Sequence, residues 1–132
     1  MKMKSKYMMI IRNKMSIDQL KLEIYKLIPS QKEIIIDYTN DGLIVSMGTS
    51  GSEHEFYIVI KLNENFSTIM SYSVAHKNRG TGLGSKLYDL FEEYIKSCGY
   101  KEIRLHLVLT GAEKFWKKKG FTIKNREWIK NI

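Results

Sequence analysis

The chain has one cysteine, one proline, and no apolar stretch long enough to cross a bilayer. A lone Cys98 excludes an intrachain disulfide and fits a reducing compartment, so a cytoplasmic location is expected. No membrane association is expected either. In the opening MKMKSKYMMIIRNKM the apolar centre, 7–11, is too short for a signal peptide, and no small-residue cleavage site follows. Repeats, linkers and low-complexity tracts are also missing, which leaves a single domain over 1–132. At 43% apolar and 27% charged residues, that length can bury a real core.

Acidic residues are scarce at the two ends. Residues 1–14 carry five basic groups and no acid, and 114–132 carry seven basic groups against Glu127, within a net charge of +8. Basic ends can attract phosphate or nucleic acid. The sequence lacks the interleaved aromatic platforms and motifs of nucleic-acid binders, so a lysine-rich coding bias is the simpler account.

The remaining pattern is an alternation of strands and helices. Ser16-Ile17-Asp18-Gln19 has capping-box form, the helical face Ile17, Leu20, Ile24, Leu27 and Ile28 follows, and Pro29 is a stop. Segments 33–38 and 43–48 flank Thr39-Asn40-Asp41-Gly42 as a hairpin. Strands over 55–62 and 66–74 come next, then a glycine-rich turn and a helix whose apolar stripe is Leu83, Leu87, Leu90, Phe91 and Tyr94. A short strand over 103–108, a helix over 111–119 and a last strand over 121–128 complete the order, with 7–11 as a first strand. Hairpins first and β–α–β later predict an α/β (α+β) fold with a mixed sheet and helices on its faces.

The turn Arg79-Gly80-Thr81-Gly82-Leu83-Gly84 is the candidate ligand site. A glycine turn entering a helix exposes unpaired backbone N–H groups beside the positive end of the helix dipole, which suits phosphate oxygens. The spacing fits neither known nucleotide loop. Leu87 stands where a dinucleotide fingerprint needs its third glycine, and no Lys-Ser/Thr pair closes the run. Taken alone, the turn is weak evidence, because backbone geometry at a strand–helix junction also calls for glycines.

Two segments together resemble the GNAT superfamily of acyl-CoA N-acyltransferases. One is Val74-Ala75-His76-Lys77-Asn78-Arg79-Gly80-Thr81-Gly82-Leu83-Gly84; the other is Ala112-Glu113-Lys114-Phe115-Trp116-Lys117-Lys118-Lys119-Gly120-Phe121. The resemblance covers 66–128 and implies a mixed, mostly antiparallel sheet with a splayed strand pair for coenzyme A. It implies acetyl-CoA as co-substrate with no metal, and an unknown amine as acceptor, on a small molecule or a protein. It makes 66–128 the coenzyme half and 1–65 the acceptor side. Members of the family often dimerise. On this resemblance the amides of Arg79, Gly80, Thr81, Gly82, Leu83, Gly84 and Ser85 hold the pyrophosphate. Tyr72, Ser73 and Val74 then border the pantetheine arm, and Trp116 lines the groove.

The resemblance is imperfect where the chemistry lies. Trp116 replaces a tyrosine that in relatives protonates the departing thiolate, and indole cannot be that acid. Leu109 replaces an asparagine, Thr68 a carboxylate that some members use as base, and His76 a proline. The remaining candidate proton handlers are His106, at the end of the strand nearest the expected thioester, and Tyr72 as a hydrogen-bonding group. Glu53, His54 and Glu55 lie at the loop-to-strand entry on the acceptor side, where a solvated edge is the simpler account. One of Lys117, Lys118 and Lys119 is a candidate for the 3′-phosphate, although cations closing a helix need no ligand. Two functions follow: an acetyl-CoA-dependent N-acyltransferase, or a catalytically impaired domain of the same type that binds acyl-CoA and regulates.

Overall fold

A computed structural model describes residues 15–28, 30, 32–40, 42–51, 54–75 and 80–132. The expected strand at 7–11 and the stop at Pro29 lie outside the described residues. So do Glu53 and His76, and the same holds for Arg79.

The first described helix, α1 (Ile17–Leu27), begins with the capping box read from the sequence. The Gln19 amide donates to Ser16 Oγ at 3.0 Å, and the Ser16 amide reaches Gln19 Oε1 at 3.4 Å. Strands β1 (Ile34–Thr39), β2 (Ile44–Thr49), β3 (Phe56–Leu62) and β4 (Ser67–Val74) form an antiparallel meander. Helix α2 (Leu83–Ser97) then crosses to β5 (Glu102–Leu105), which runs parallel to β4. A 3₁₀ turn (Thr110–Ala112) leads into α3 (Glu113–Lys118), and β6 (Thr122–Lys124) and β7 (Glu127–Asn131) end the chain. The sheet order is β1-β2-β3-β4-β5-β7-β6, with β4–β5 its one parallel pair among the described residues. The expected mixed, mostly antiparallel sheet is therefore present.

The three helices share one apolar cluster with the sheet. Leu20 and Ile24 of α1 meet Leu87, Phe91 and Ile95 of α2 and Trp116 of α3 over Ile34, Met47, Phe56, Ile58, Ile60, Ile69, Ile103 and Leu105. Full burial of each such aliphatic or aromatic side chain stabilises the fold by roughly 1.5–3 kcal/mol.

Two expectations need correction, and one strand carries an irregularity that the sequence does not signal. The expected single strand at 121–128 is a hairpin: β6 and β7 pair around Asn125 and Arg126, at φ 52° and 66°. Two positive φ values in a row match the two-residue turn that suits strand twist. Asn125 tolerates that region, but Arg126 gives no glycine cue in the sequence. The strand at 103–108 ends at Leu105, where pairing on both sides stops. Finally, β4 contains a bulge: Ser71 pairs with Val59 and Ile69 with Ile60, so Met70 has no partner of its own. A bulge bends a strand and re-aims the side chains beyond it.

Candidate active site

Strands β4 and β5 pair at Ser67–Ile103, Thr68–Arg104 and Ile69–Leu105, and the His106 amide adds a final bond to the Ile69 carbonyl at 3.0 Å. Beyond that rung the chains part. β4 continues to Val74 against β3, while 106–109 turn away toward α3. The gap is a cleft of about 140 Å³ lined by Ile69, Met70, Ser71, Tyr72, Leu105, Leu107, Leu109, Ala112 and Trp116. Leu107 and Leu109 border it at 71% and 68% exposure, an apolar rim left open among the described residues.

One wall of the cleft is aromatic. Tyr72 lies 6.0 Å from Trp116, 6.2 Å from Phe115 and 6.1 Å from Phe91, ring centre to ring centre. Tyr88 backs this wall at 5.5 Å from Trp116. Its hydroxyl donates to Glu92 Oε1, which also holds Lys130 Nζ at 2.6 Å. The Tyr72 hydroxyl donates to the Gly84 carbonyl at 2.5 Å and ties the wall to the first turn of α2. Burial, with the Asp89 charge adding to it, raises the Tyr72 pKa well above the ordinary tyrosine value. Burial and the bond to Glu92 do the same for Tyr88.

The glycine turn is joined to the wall of the cleft through the Tyr72–Gly84 bond. Gly82 caps α2 at φ 82°, a left-handed conformation that side-chain-bearing residues rarely adopt. A Cβ added at Gly80 or Gly82 would meet nothing within 4 Å, so the turn offers open backbone to solvent. Gly84 is constrained differently: a Cβ there would lie 3.4 Å from Val74 Cγ2, so glycine lets α2 approach β4. The first helical bond runs from the Lys86 amide to the Gly82 carbonyl, and Thr81 Oγ1 accepts from the Leu83 amide at 3.3 Å. The Gly84 and Ser85 amides thus stand outside the ladder of the helix, at its positive end. Leu83 is buried and contributes only backbone to this surface.

The other sequence candidates are dispersed. His106 is exposed and lies next to the last β4–β5 rung. Ser73 is exposed and, by strand alternation, faces away from Tyr72 and Val74. Lys119 is paired with Asp89 at 2.7 Å, and Lys117 Nζ sits 6.0 Å over the Trp128 ring. The Thr68 hydroxyl accepts from Asn63 at 2.9 Å. His54 is exposed, with Nδ1 2.7 Å from the Thr49 carbonyl.

Glu55 differs from the solvated edge that its sequence position suggests. It is fully buried, with Ser30 Oγ donating to Oε2 at 2.8 Å and Oε1 without a partner. Its amide donates to Thr49 Oγ1 and its carbonyl accepts from Ala75, which fastens the start of β3 to the end of β4. A carboxylate ahead of a strand carries no sequence signal for burial, because such residues are seldom fully buried.

The described site is thus one parallel strand pair that opens past Ile69–Leu105, with a glycine-capped helix tied to its wall. The chain belongs to the acetyltransferase (GNAT) family, whose model matches residues 13–121. Solved structures agree at the level of fold. PaiA N-acetyltransferase from Thermoplasma acidophilum, in complex with coenzyme A, is 21% identical with a TM-score of 0.57, over 67% of this chain and 61% of that one. A GNAT family acetyltransferase from Elizabethkingia anophelis with acetyl-CoA bound is 13% identical with a TM-score of 0.59, over 76% of this chain and 97% of that one. An acetyltransferase of the GNAT family from Staphylococcus aureus is 20% identical with a TM-score of 0.57, over 71% and 70%. The chain thus spans about three-fifths of the length of the Thermoplasma protein. A sequence comparison with curated proteins finds no match. Among the described residues, no helix is long and apolar enough to cross a membrane.

Proposed function

We propose that this chain transfers an acetyl group from acetyl-CoA to an amine of a small molecule or protein. The single observation that carries the reading is the seam that opens past Ile69–Leu105, with Tyr72 of its wall bonded to Gly84 of the glycine turn. The seam fits a pantetheine arm because an open strand edge offers main-chain groups that a ligand's amides can satisfy. The turn suits the pyrophosphate through the amides of Gly80, Thr81, Gly82, Leu83, Gly84 and Ser85, and we include Arg79 on the family resemblance. Tyr72, Ser73, Val74 and Trp116 border the arm. In this reading 66–128 is the coenzyme half and 1–65 the acceptor side of one domain.

Bound acetyl-CoA supplies an activated acyl carbon. The residues of the chain orient it against the amine, and positioning of this kind contributes on the order of 7–11 kcal/mol in favourable cases. His106 is the proposed acceptor of the amine proton, directly or through water, because it is exposed beside the last rung of the seam. Tyr72 is the proposed hydrogen-bonding group that holds the phosphate turn against the cleft, since its hydroxyl binds the Gly84 carbonyl. A cytoplasmic setting is part of the proposal and rests on the lone Cys98.

A second reading, a domain that binds acyl-CoA without turning it over, is favoured by Trp116, Leu109 and Thr68 at positions where relatives carry polar groups. Titration calorimetry with acetyl-CoA and release of free thiol over a panel of amines separate the two. Saturable heat with thiol release supports the transferase, and heat without release on any amine supports the second reading. No binding at millimolar acetyl-CoA overturns both.

A further inference from the structure

Nine residues line the cleft between β4 and β5, and few of them carry a side-chain donor. Ser71 is exposed, and the Tyr72 hydroxyl is committed to the Gly84 carbonyl. Trp116 is 6% exposed and held by ring contacts from Tyr72, Tyr88, Phe115 and Phe121. Its indole N–H makes no hydrogen bond to the described residues, yet it is not among the buried polar atoms sealed without a partner. A buried aromatic normally satisfies its N–H. Here the residue is fixed by its neighbours, lines the cleft, and has a donor that no described residue uses.

We infer that the Trp116 indole N–H is the hydrogen-bond donor to the sulfur of the acyl donor, a role that rests on the reading above. The cleft volume of about 140 Å³ is well below the roughly 300–1,000 Å³ of sites for drug-sized ligands. It therefore accepts the acylthioethyl end of the arm and not the whole coenzyme. As the amine nitrogen bonds to the acyl carbon, the carbon–sulfur bond breaks and its electron pair leaves on sulfur. The surplus amine proton passes to water or His106, while the indole keeps its own proton and donates a hydrogen bond to the sulfur anion. The interaction is far stronger with the thiolate than with the thioester, so it favours the breaking bond over the bound substrate. Trp116 thus replaces proton delivery with anion stabilisation, and the thiolate takes its proton from water after departure.

Free coenzyme A provides a test that does not depend on turnover. The bound thiol, followed by thiolate absorbance against pH, should titrate about one pH unit lower on the wild-type protein than in solution, as expected for one hydrogen bond to an anion. The Trp116→Phe variant should bind the coenzyme comparably and lose that difference, with kcat reduced about tenfold and KM little changed. Equal thiol titration in the two proteins overturns the inference and leaves the transferase reading intact. Failure of either protein to bind coenzyme A instead removes the reading beneath it. Should Trp116→Phe not fold, the wild-type indole N–H resonance, distinguished from that of Trp128 by Trp128→Phe, decides the question. It should move with coenzyme A and stay nearly still with the desulfo analogue, and equal movement with both overturns the proposal.

Discussion

The two margins of β5 are built in opposite ways. Toward β7 it pairs along its whole length, from Glu102–Asn131 to Leu105–Trp128, and its outward side chains are also stitched. Arg104 donates to Glu102 at 2.8 Å and to Glu127 at 3.3 Å, and its guanidinium lies 3.8 Å over the Phe66 ring. Toward β4 the pairing stops at Ile69–Leu105, although β4 itself runs on to Val74. Lack of strand is thus not the cause of the opening. The chain after Leu105 turns outward, and aromatic side chains from α2 and α3 hold the far wall of the gap in place. A closed margin stabilises the fold, while an open one leaves polar backbone for something else to bind.

The largest expected effect comes from filling the open margin. Gly82→Glu sets a carboxylate beside the proposed phosphate site, and like charges near 4 Å repel by about 4 kcal/mol at a protein surface. Coenzyme affinity should fall about a thousandfold by calorimetry, with the helical circular dichroism retained. Unchanged affinity would mean that the phosphates bind elsewhere.

An intermediate effect concerns the tyrosines of the wall. Burial raises the pKa values of Tyr72 and Tyr88 above the ordinary tyrosine value of 10.0, so their contribution is complete below pH 10 and is lost as pH rises further. Each tyrosine kept neutral should cost about 1.4 kcal/mol of stability per pH unit above 10. Denaturant midpoints measured from pH 9 to 12 should drop accordingly, with tyrosinate absorbance from these two groups appearing only on unfolding. Normal titration of all tyrosines in the folded protein would contradict a sealed wall.

The smallest effect belongs to the closed margin. Arg104→Ala removes partly exposed ion pairs and one cation–π contact, and it should lower stability by about 1 kcal/mol. Coenzyme affinity should stay within twofold. A large loss of binding would show that the two margins are coupled and not independent.

Much of this division was legible in the residues. The capping box at Ser16 and the stripe from Leu83 to Tyr94 follow local rules that tertiary packing did not override. The paired segments around Gly82 and Trp116 pointed to the family and to the wall of the cleft. Less visible were features set by long-range packing. Arg126 in a left-handed turn conceals a hairpin, and Glu55 ahead of β3 is drawn inward by Ser30 and Thr49. The outward turn after Leu105 is masked in the sequence by the apolar run that comes next, Leu107 to Leu109, which by itself looks like more strand.

The unpartnered Met70 carries one further consequence. Before it, the odd-numbered residues Ser67 and Ile69 point to the helices; after it, the even-numbered Tyr72 and Val74 do. One surplus methionine therefore switches the parity of the strand midway. Removing it would send the serines at 71 and 73 into the oil of the core and throw the tyrosine and valine out to water. The aromatic wall thus owes its place to a miscount of one in the backbone.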